Sequence, residues 1–168
     1  MVILGRGGAG KSTLAQDLSR ATGLPVAELD ALFWRAGPNG PTPAEPAQWT
    51  ARQHDLVRRN EWIIEGDLGP YDRDLALRLR AADTVIVLDF GFPRCAWRTL
   101  RRGREQPEYW RWIWSYRRRS LPALRQAIAV DAAGAGIHVL RTRKAVRRFL
   151  AGLSPARSRP GRPDQRAG

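Results

Sequence analysis

Between an apolar run, Val2-Ile3-Leu4, and a helical pattern carried by Leu14, Ala15 and Leu18, the chain reads Gly5-Arg6-Gly7-Gly8-Ala9-Gly10-Lys11-Ser12. This is the spacing G-x-x-x-x-G-K-[ST], set between a strand and a helix, which is the context that gives it a mechanism. Glycines let the backbone curl so that successive N–H groups point inward at an anion. The helix that follows adds the partial positive charge of its N-terminus. Gly5, Gly7, Gly8, Ala9, Gly10 and Thr13 are therefore expected to cradle the phosphates of a nucleoside triphosphate. Lys11 is expected to reach the β- and γ-phosphates, and the Ser12 hydroxyl to ligate Mg²⁺. The bland alternative is a glycine-rich turn capping an ordinary helix. Against it, of the 29 basic residues only Lys11 and Lys144 are lysines, and one of them stands at this place in the motif.

A chain of 168 residues suits one domain with a real core. Residues 1–150 are expected to form it, and 151–168, rich in Pro, Arg, Gly and Ser, to be a disordered basic tail. No stretch approaches the length of a transmembrane helix, and the phosphate loop begins at the fifth residue, where a leader would lie. One cysteine, Cys95, excludes an internal disulfide and fits a reducing cytoplasm. His54 and His138 stand apart, so no Cys/His cluster has metal-ligand spacing. Only Met1 to Leu4 precede the loop, short for a central strand, which slightly favours a start upstream.

The net charge of +13 invites a nucleic-acid reading. Its distribution argues otherwise, because most of the excess lies in residues 94–119 and in the tail.

Further apolar runs read as strands separated by helical patterns: Val26 to Leu29 before Asp30, Trp62-Ile63-Ile64 before Glu65, Thr84 to Leu88 before Asp89, and Ile137 to Leu140. Continuous apolar strands alternating with helices imply a parallel sheet covered on both faces. Right-handed crossovers then gather the strand ends on one edge, where ligands bind. Asp30, Glu65 and Asp89 are thereby expected near the phosphate loop, where Mg²⁺ needs carboxylates. The turn-rich segment 36–43 is either a mobile substrate flap or a surface connection, followed by a helix over 44–60. A helix over 93–102 would put Arg94, Arg98, Arg101 and Arg102 on one face, as a solvated basic face or a phosphate clamp. In the stretch 109–119, Trp110, Ile113, Trp114 and Arg117 form a helical stripe, expected to pack tryptophans on the core. Aromatic–arginine interleaving also suits base stacking.

No N-K-x-D segment for guanine occurs, and Phe90 follows the Walker-B-like run Val85 to Asp89 where AAA-type ATPases place a glutamate. The chain from Val2 to Leu150 resembles the adenylate-kinase-related P-loop kinases of the "DNA topology modulation protein" family. The resemblance rests on residues 5–15, Leu29-Asp30-Ala31-Leu32-Phe33-Trp34, Trp62-Ile63-Ile64-Glu65-Gly66-Asp67, 80–89, Arg111-Trp112-Ile113-Trp114 and 140–150. Relatives usually read D-G-N-Y where this chain has Glu65-Gly66-Asp67-Leu68. That departure puts the role of the strand end in question while keeping a carboxylate. The family name records a genetic effect and does not establish a reaction.

The resemblance implies a P-loop NTPase with a five-stranded parallel sheet flanked by helices and a small arginine-rich helical lid over about 98–119. It implies that Arg98 and Arg102 hold the triphosphate, with Arg117 and Arg118 as a second lid pair. Arg35 and Arg73 match places that hold an acceptor's phosphate, and backbone at 141–144, with Arg143, would lie against adenine. Ser12 and Glu65 would serve the metal. Asp30 and Glu65 would face the substrate, Asp30 being the natural base if the acceptor is a hydroxyl. The expected activity is ATP- and Mg²⁺-dependent phosphoryl transfer to a small acceptor, a nucleotide or other phosphorylated metabolite. Its rivals are a nucleic-acid-associated ATP-binding regulator affecting DNA topology, with weak nonspecific nucleic-acid contact through the basic segment, and a nucleotide binder that serves a partner without turnover.

Overall fold

The computed structural model describes residues 1–37, 40–66, 68–69, 72–101, 103 and 107–153. The expected tail beyond 153, Asp67 of the strand-end motif and Arg102 of the expected lid lie outside the described residues.

Five strands form one parallel sheet: β1 (Val2–Gly5), β2 (Val26–Glu28), β5 (Ile63–Glu65), β6 (Thr84–Leu88) and β7 (Gly136–Leu140). Their spatial order is β2-β5-β1-β6-β7, so the strand preceding the glycine-rich loop is central. Val2, Ile3 and Leu4 are each fully buried, as a central strand covered on both faces requires. Alternation sends Val2 and Leu4 to one face with Ile64, Val85 and Val87. Ile3 goes to the other with Ile63, Ile86 and Leu88. The five strands lie where the apolar runs predict them.

On one face pack α1 (Lys11–Thr22), α5 (Phe92–Leu100), α6 (Pro107–Ser115) and α8 (Arg143–Ala151). On the other lie α2 (Leu29–Phe33), α3 (Pro46–Val57), α4 (Leu75–Arg80) and α7 (Ser120–Asp131). Helix α1 buries Leu14, Ala15 and Leu18 and stops at Gly23, whose N–H donates to Ser19 O. The predicted helix over 44–60 is shorter at both ends. Its N-cap is Glu45, whose carboxylate accepts from Ala47 N and Gln48 N, and Pro46 opens it, as a first-turn proline can. Before it, β3 (Trp34–Arg35) pairs antiparallel with β4 (Thr42–Pro43).

The aromatic segment keeps part of its predicted stripe, since Ile113 is buried and Trp110 packs against the core, but Trp114 and Arg117 are exposed. Ile113 and Tyr116 are buried, and Tyr109 and Trp112 pack beside them, so α6 and the residue after it face inward along 109, 112, 113 and 116. Trp114 is 68% exposed and meets Phe92 edge-on on the outside. Both stripes have helical spacing. The inward one fits because Tyr109 and Trp112 close on Gly7 of the loop and Trp112 also on Gly69, positions where a Cβ would collide or crowd.

One polar cluster sits inside the core. Arg78 of α4 is fully buried and holds both oxygens of Asp72 at 2.8 and 2.6 Å. It also donates to Gln53 of α3. Gln53 and Thr50 in turn donate to Asp74, each at 3.0 Å. These bonds tie α3 to α4 and to the turn before it.

Candidate functional site

The loop between β1 and α1 closes on itself. Ala9 N donates to Arg6 O, and Gly10 takes φ +97°, which a residue with a Cβ rarely adopts. A Cβ at Gly10 would also stand 2.7 Å from Arg98 Nη1, so glycine lets an arginine of α5 approach the start of α1. Lys11 Nζ folds back to donate to Gly5 O at 3.0 Å. Ser12 Oγ donates to Glu65 Oε1 at 2.9 Å, joining the loop to the end of β5 across adjacent strands.

Glu65 is 3% exposed. Burial pushes its carboxyl above the ordinary value. The Lys11 charge and the Ser12 hydrogen bond oppose this, while Glu28 and Asp30 push it further up. Asp30, exposed in the first turn of α2, is thus electrostatically coupled to Glu65. A carboxyl raised in the folded state binds its proton more tightly there than in the unfolded chain. Its contribution to stability is therefore present below the ordinary value of 4.5 and is lost as pH rises through the folded value. Glu65→Gln is expected to flatten this pH dependence, to leave the apoprotein at least as heat-stable at neutral pH, and to remove added stabilisation by Mg²⁺ with nucleotide. Thermal melts across pH, with and without Mg²⁺ and an ATP analogue, check this; undiminished Mg²⁺ stabilisation would count against a metal role.

Beside the loop a cavity of about 630 Å³ is lined by Gly10 and Thr13, by Arg94, Arg98 and Arg101 of the α5 region, and by Arg143 and Arg147 of α8. Its size is that of a small-molecule site. Arg98 Nη2 donates to Thr13 Oγ1 at 3.4 Å. Arg94 lies on the Phe90 ring at 4.2 Å; burial lowers its pKa, and the charges of Arg143 and Arg98 lower it further. The face shared by Arg94, Arg98 and Arg101 therefore turns toward this cavity. Arg143 reaches it from the first turn of α8, and Asp17 is its sole acidic lining residue among those described.

Asp89 belongs to different company from that expected. Its carboxylate accepts from Arg117 at 3.1 and 3.2 Å and from Arg141 at 3.4 Å, and Arg125 stands 3.6 Å away. Three guanidiniums meet it, tying the residues after α6, α7 and the end of β7 to the sheet, while the Gly5–Leu88 register keeps Asp89 beside the loop, where its charge acts on Arg6. Arg117 is correspondingly held on Asp89, and Arg118 is exposed. Arg35 donates to Gln48 of α3 at 3.0 Å and, with Trp49 and Arg52, lines a separate pocket of about 210 Å³. Arg73 is exposed in the turn before α4. The loop thus gathers Lys11, Ser12, Glu65, Asp30, Arg98 and Arg143; Arg117, held on Asp89, acts on it through Arg6, and among the described residues no hydrogen bond joins Arg35 or Arg73 to it. Arg147 of the cavity and Arg6 of the loop were not foreseen. Arg147 was legible as the residue one turn beyond Arg143; Arg6 gave no signal, since its position in the motif admits any residue.

No family profile matches the sequence, and no curated protein matches it. Solved structures do. A sugar kinase from Janibacter sp. is 21% identical over 92% of this chain and 94% of its own, with TM-score 0.51. A shikimate kinase from Bacteroides thetaiotaomicron is 19% identical over 89% and 92%, with TM-score 0.52. The chain has the P-loop kinase fold. A gluconokinase from Sinorhizobium meliloti gives the same answer, at 19% identity over 90% of this chain and 89% of its own, with TM-score 0.51. Similarity at this level is a statement about the fold alone.

Within the P-loop kinase fold, the residues present fit a nucleoside triphosphate with Mg²⁺. The loop, Lys11 and the basic cavity suit a polyanion. A serine hydroxyl and one carboxylate are the modest protein share that Mg²⁺ takes when phosphates and water complete its shell. Among the described residues no group of three or more His, Cys, Asp or Glu side chains could hold a metal unaided. No helix among them is long and apolar enough to cross a membrane.

Proposed function

We propose that the protein is an ATP- and Mg²⁺-dependent phosphotransferase, adenylate-kinase-like in type. In this reading it passes the γ-phosphoryl group to a small acceptor, a nucleotide or other phosphorylated metabolite. The observation that carries the reading is the convergence of Lys11, the Ser12–Glu65 pair and an arginine-lined cavity on one glycine-rich loop. Membership of the "DNA topology modulation protein" family is supported by the ordered motifs of the sequence. The fold neighbours, named as sugar, shikimate and gluconate kinases, support a small acceptor.

Phosphoryl transfer relies on positioning and charge neutralisation more than on covalent chemistry by the protein. Lys11 and Arg98 place positive charge at the loop, and Arg143 extends the basic surface toward the base. Arginine suits this work because its planar fork binds phosphate in a bidentate way. Ser12 and Glu65 would hold Mg²⁺, which would supply further neutralisation of phosphate charge. An acceptor phosphate is already ionised and needs no base. Were the acceptor a hydroxyl, Asp30, beside Glu65, would take its proton.

The test is ATP consumption with Mg²⁺ across nucleoside monophosphates, small hydroxyl compounds, duplex DNA and no acceptor. Stimulation by one small compound, with a matching phosphorylated product, is expected. A nucleic-acid-associated regulator is favoured by one observation, Trp97 and Trp114 standing 59% and 68% exposed within the arginine-rich segment. Stimulation by DNA alone, with binding that collapses steeply as salt rises, would transfer the case to that reading.

A further inference from the structure

Arg6, the first variable position of the loop, has no part in the reading above. It is 2% exposed, and its Nε and Nη1 find no hydrogen-bond partner among the described residues. Buried guanidinium N–H groups are ordinarily satisfied, so two left over in one side chain call for an explanation. The guanidinium carbon lies 5.8 Å from the centre of the Phe92 ring and 5.5 Å from that of Tyr116. Ring faces attract the charge but leave the in-plane N–H groups unmet. Burial pulls the Arg6 pKa below its ordinary value. Cys95, Tyr116 and Asp89 act in the opposite sense, and the Arg117 charge adds to the lowering. Asp89 is the acid among these groups, and it is already taken by Arg117, Arg141 and Arg125.

The wall around Arg6 is aromatic. Tyr116, Trp112 and Tyr109 follow one another at centroid separations of 5.6 Å. The Tyr109 hydroxyl lies over Gly7, where a Cβ would collide with it. Trp112 spans from Gly7 to Gly69, just beyond β5, and its Nε1 is another buried donor without a partner among the described residues. Two donor side chains therefore stand unsatisfied on the α6 side of the loop, backed by flat rings. Arg6 does not line the basic cavity of Arg98 and Arg143, which supplies cations of its own for a donor triphosphate.

We propose that Arg6 is the anion-binding residue of the acceptor subsite. Its guanidinium receives the phosphate of the acceptor, and the α6 rings receive a planar group on the same molecule, which makes the acceptor a nucleoside monophosphate in class. The inference rests on the kinase reading and narrows its acceptor. The Tyr109–Gly7 contact implies that α6 moves outward to admit the molecule.

Binding tests this without turnover. With the donor site saturated by Mg²⁺ and a non-hydrolysable ATP analogue, adenosine monophosphate and inorganic phosphate are titrated into the parent, Arg6→Met and Arg6→Lys. Affinity for both probes is expected to fall roughly ten- to a hundredfold in Arg6→Met, the scale of lost charge-assisted hydrogen bonds. Arg6→Lys should recover part of it, and affinity for the ATP analogue should stay within about twofold throughout. Adenosine monophosphate should bind the parent more tightly than phosphate alone. Because the arginine is an unsatisfied buried charge, Arg6→Met should melt no lower than the parent without ligands. A lower melting point with unchanged probe affinity would make Arg6 a structural residue and overturn the proposal. Loss of affinity for the ATP analogue in place of the probes, or no probe binding to the parent, would overturn it equally. If no acceptor in the activity panel is turned over while probe binding still depends on Arg6, the kinase reading fails and the anion site stands.

Discussion

Lys11→Ala is expected to yield a folded protein that no longer turns over ATP. Lys11 is the first residue of α1, partly exposed, and its described hydrogen bond runs from Nζ to the carbonyl of Gly5 at 3.0 Å. Alanine is a strong helix former and removes no buried packing, so melting should hardly change. What disappears is the loop's own mobile cation, a compact charge able to follow the phosphoryl group as it moves. Removal of one such preorganised group slows transfer by at least 10²–10³, roughly, and Arg98 of α5 is placed at Gly10 and Thr13, leaving the position at Gly5 to Lys11. Single-turnover phosphoryl transfer with the acceptor found in the panel measures the loss, and circular dichroism verifies the fold. An unchanged rate would sink the phosphate-loop mechanism outright.

Asp72→Ala is expected to be among the most destabilising single changes available. The Arg78 side chain is 0% exposed and that of Asp72 5%. Their two hydrogen bonds, at 2.6 and 2.8 Å, are what make a buried guanidinium tolerable. Without the carboxylate the charge remains inside with Gln53 as its partner. Breaking one side of a buried pair costs about 3–5 kcal/mol, a large part of the roughly 5–15 kcal/mol that holds a domain folded. Urea unfolding measures it. Replacing Arg78 with Met in the same chain should recover much of the loss, because the uncompensated charge goes with it. A loss below about 1 kcal/mol would mean that Gln53 alone satisfies Arg78. The consequence reaches the β3–β4 pair, since Gln53 and Thr50 of α3 share Asp74 beside this pair, and α3 carries Gln48, the partner of Arg35 in β3.

The two substitutions fall on opposite sides of a division between local and distant information. Whatever depended on neighbours a few residues apart was readable along the chain. The glycine-rich loop, its flanking strand and helix, and the shared face of Arg94, Arg98 and Arg101 all follow from spacing, because helices repeat every 3.6 residues and a buried parallel strand needs an unbroken apolar run. Even the meeting of Ser12 with Glu65 was implied, once strand ends were expected to gather on one edge. The choice between equally regular alternatives was not readable. In the segment 109–116 two helical stripes compete, and the inward one is the one that fits against Gly7 and Gly69. Asp89 reads as an acid at a strand end, like Glu65, yet Arg117, Arg125 and Arg141 reach it from elements 28 to 52 residues away. Arg6 and Arg78 look like two more arginines in a chain full of them. By itself, then, the sequence determined a parallel sheet with a phosphate loop at its edge and a basic helix beside it. Only the tertiary structure decided which charges are spent on one another and which stay unpaired, because electrostatic partnership and burial depend on distance in space, and the chain brings those groups together only after it folds.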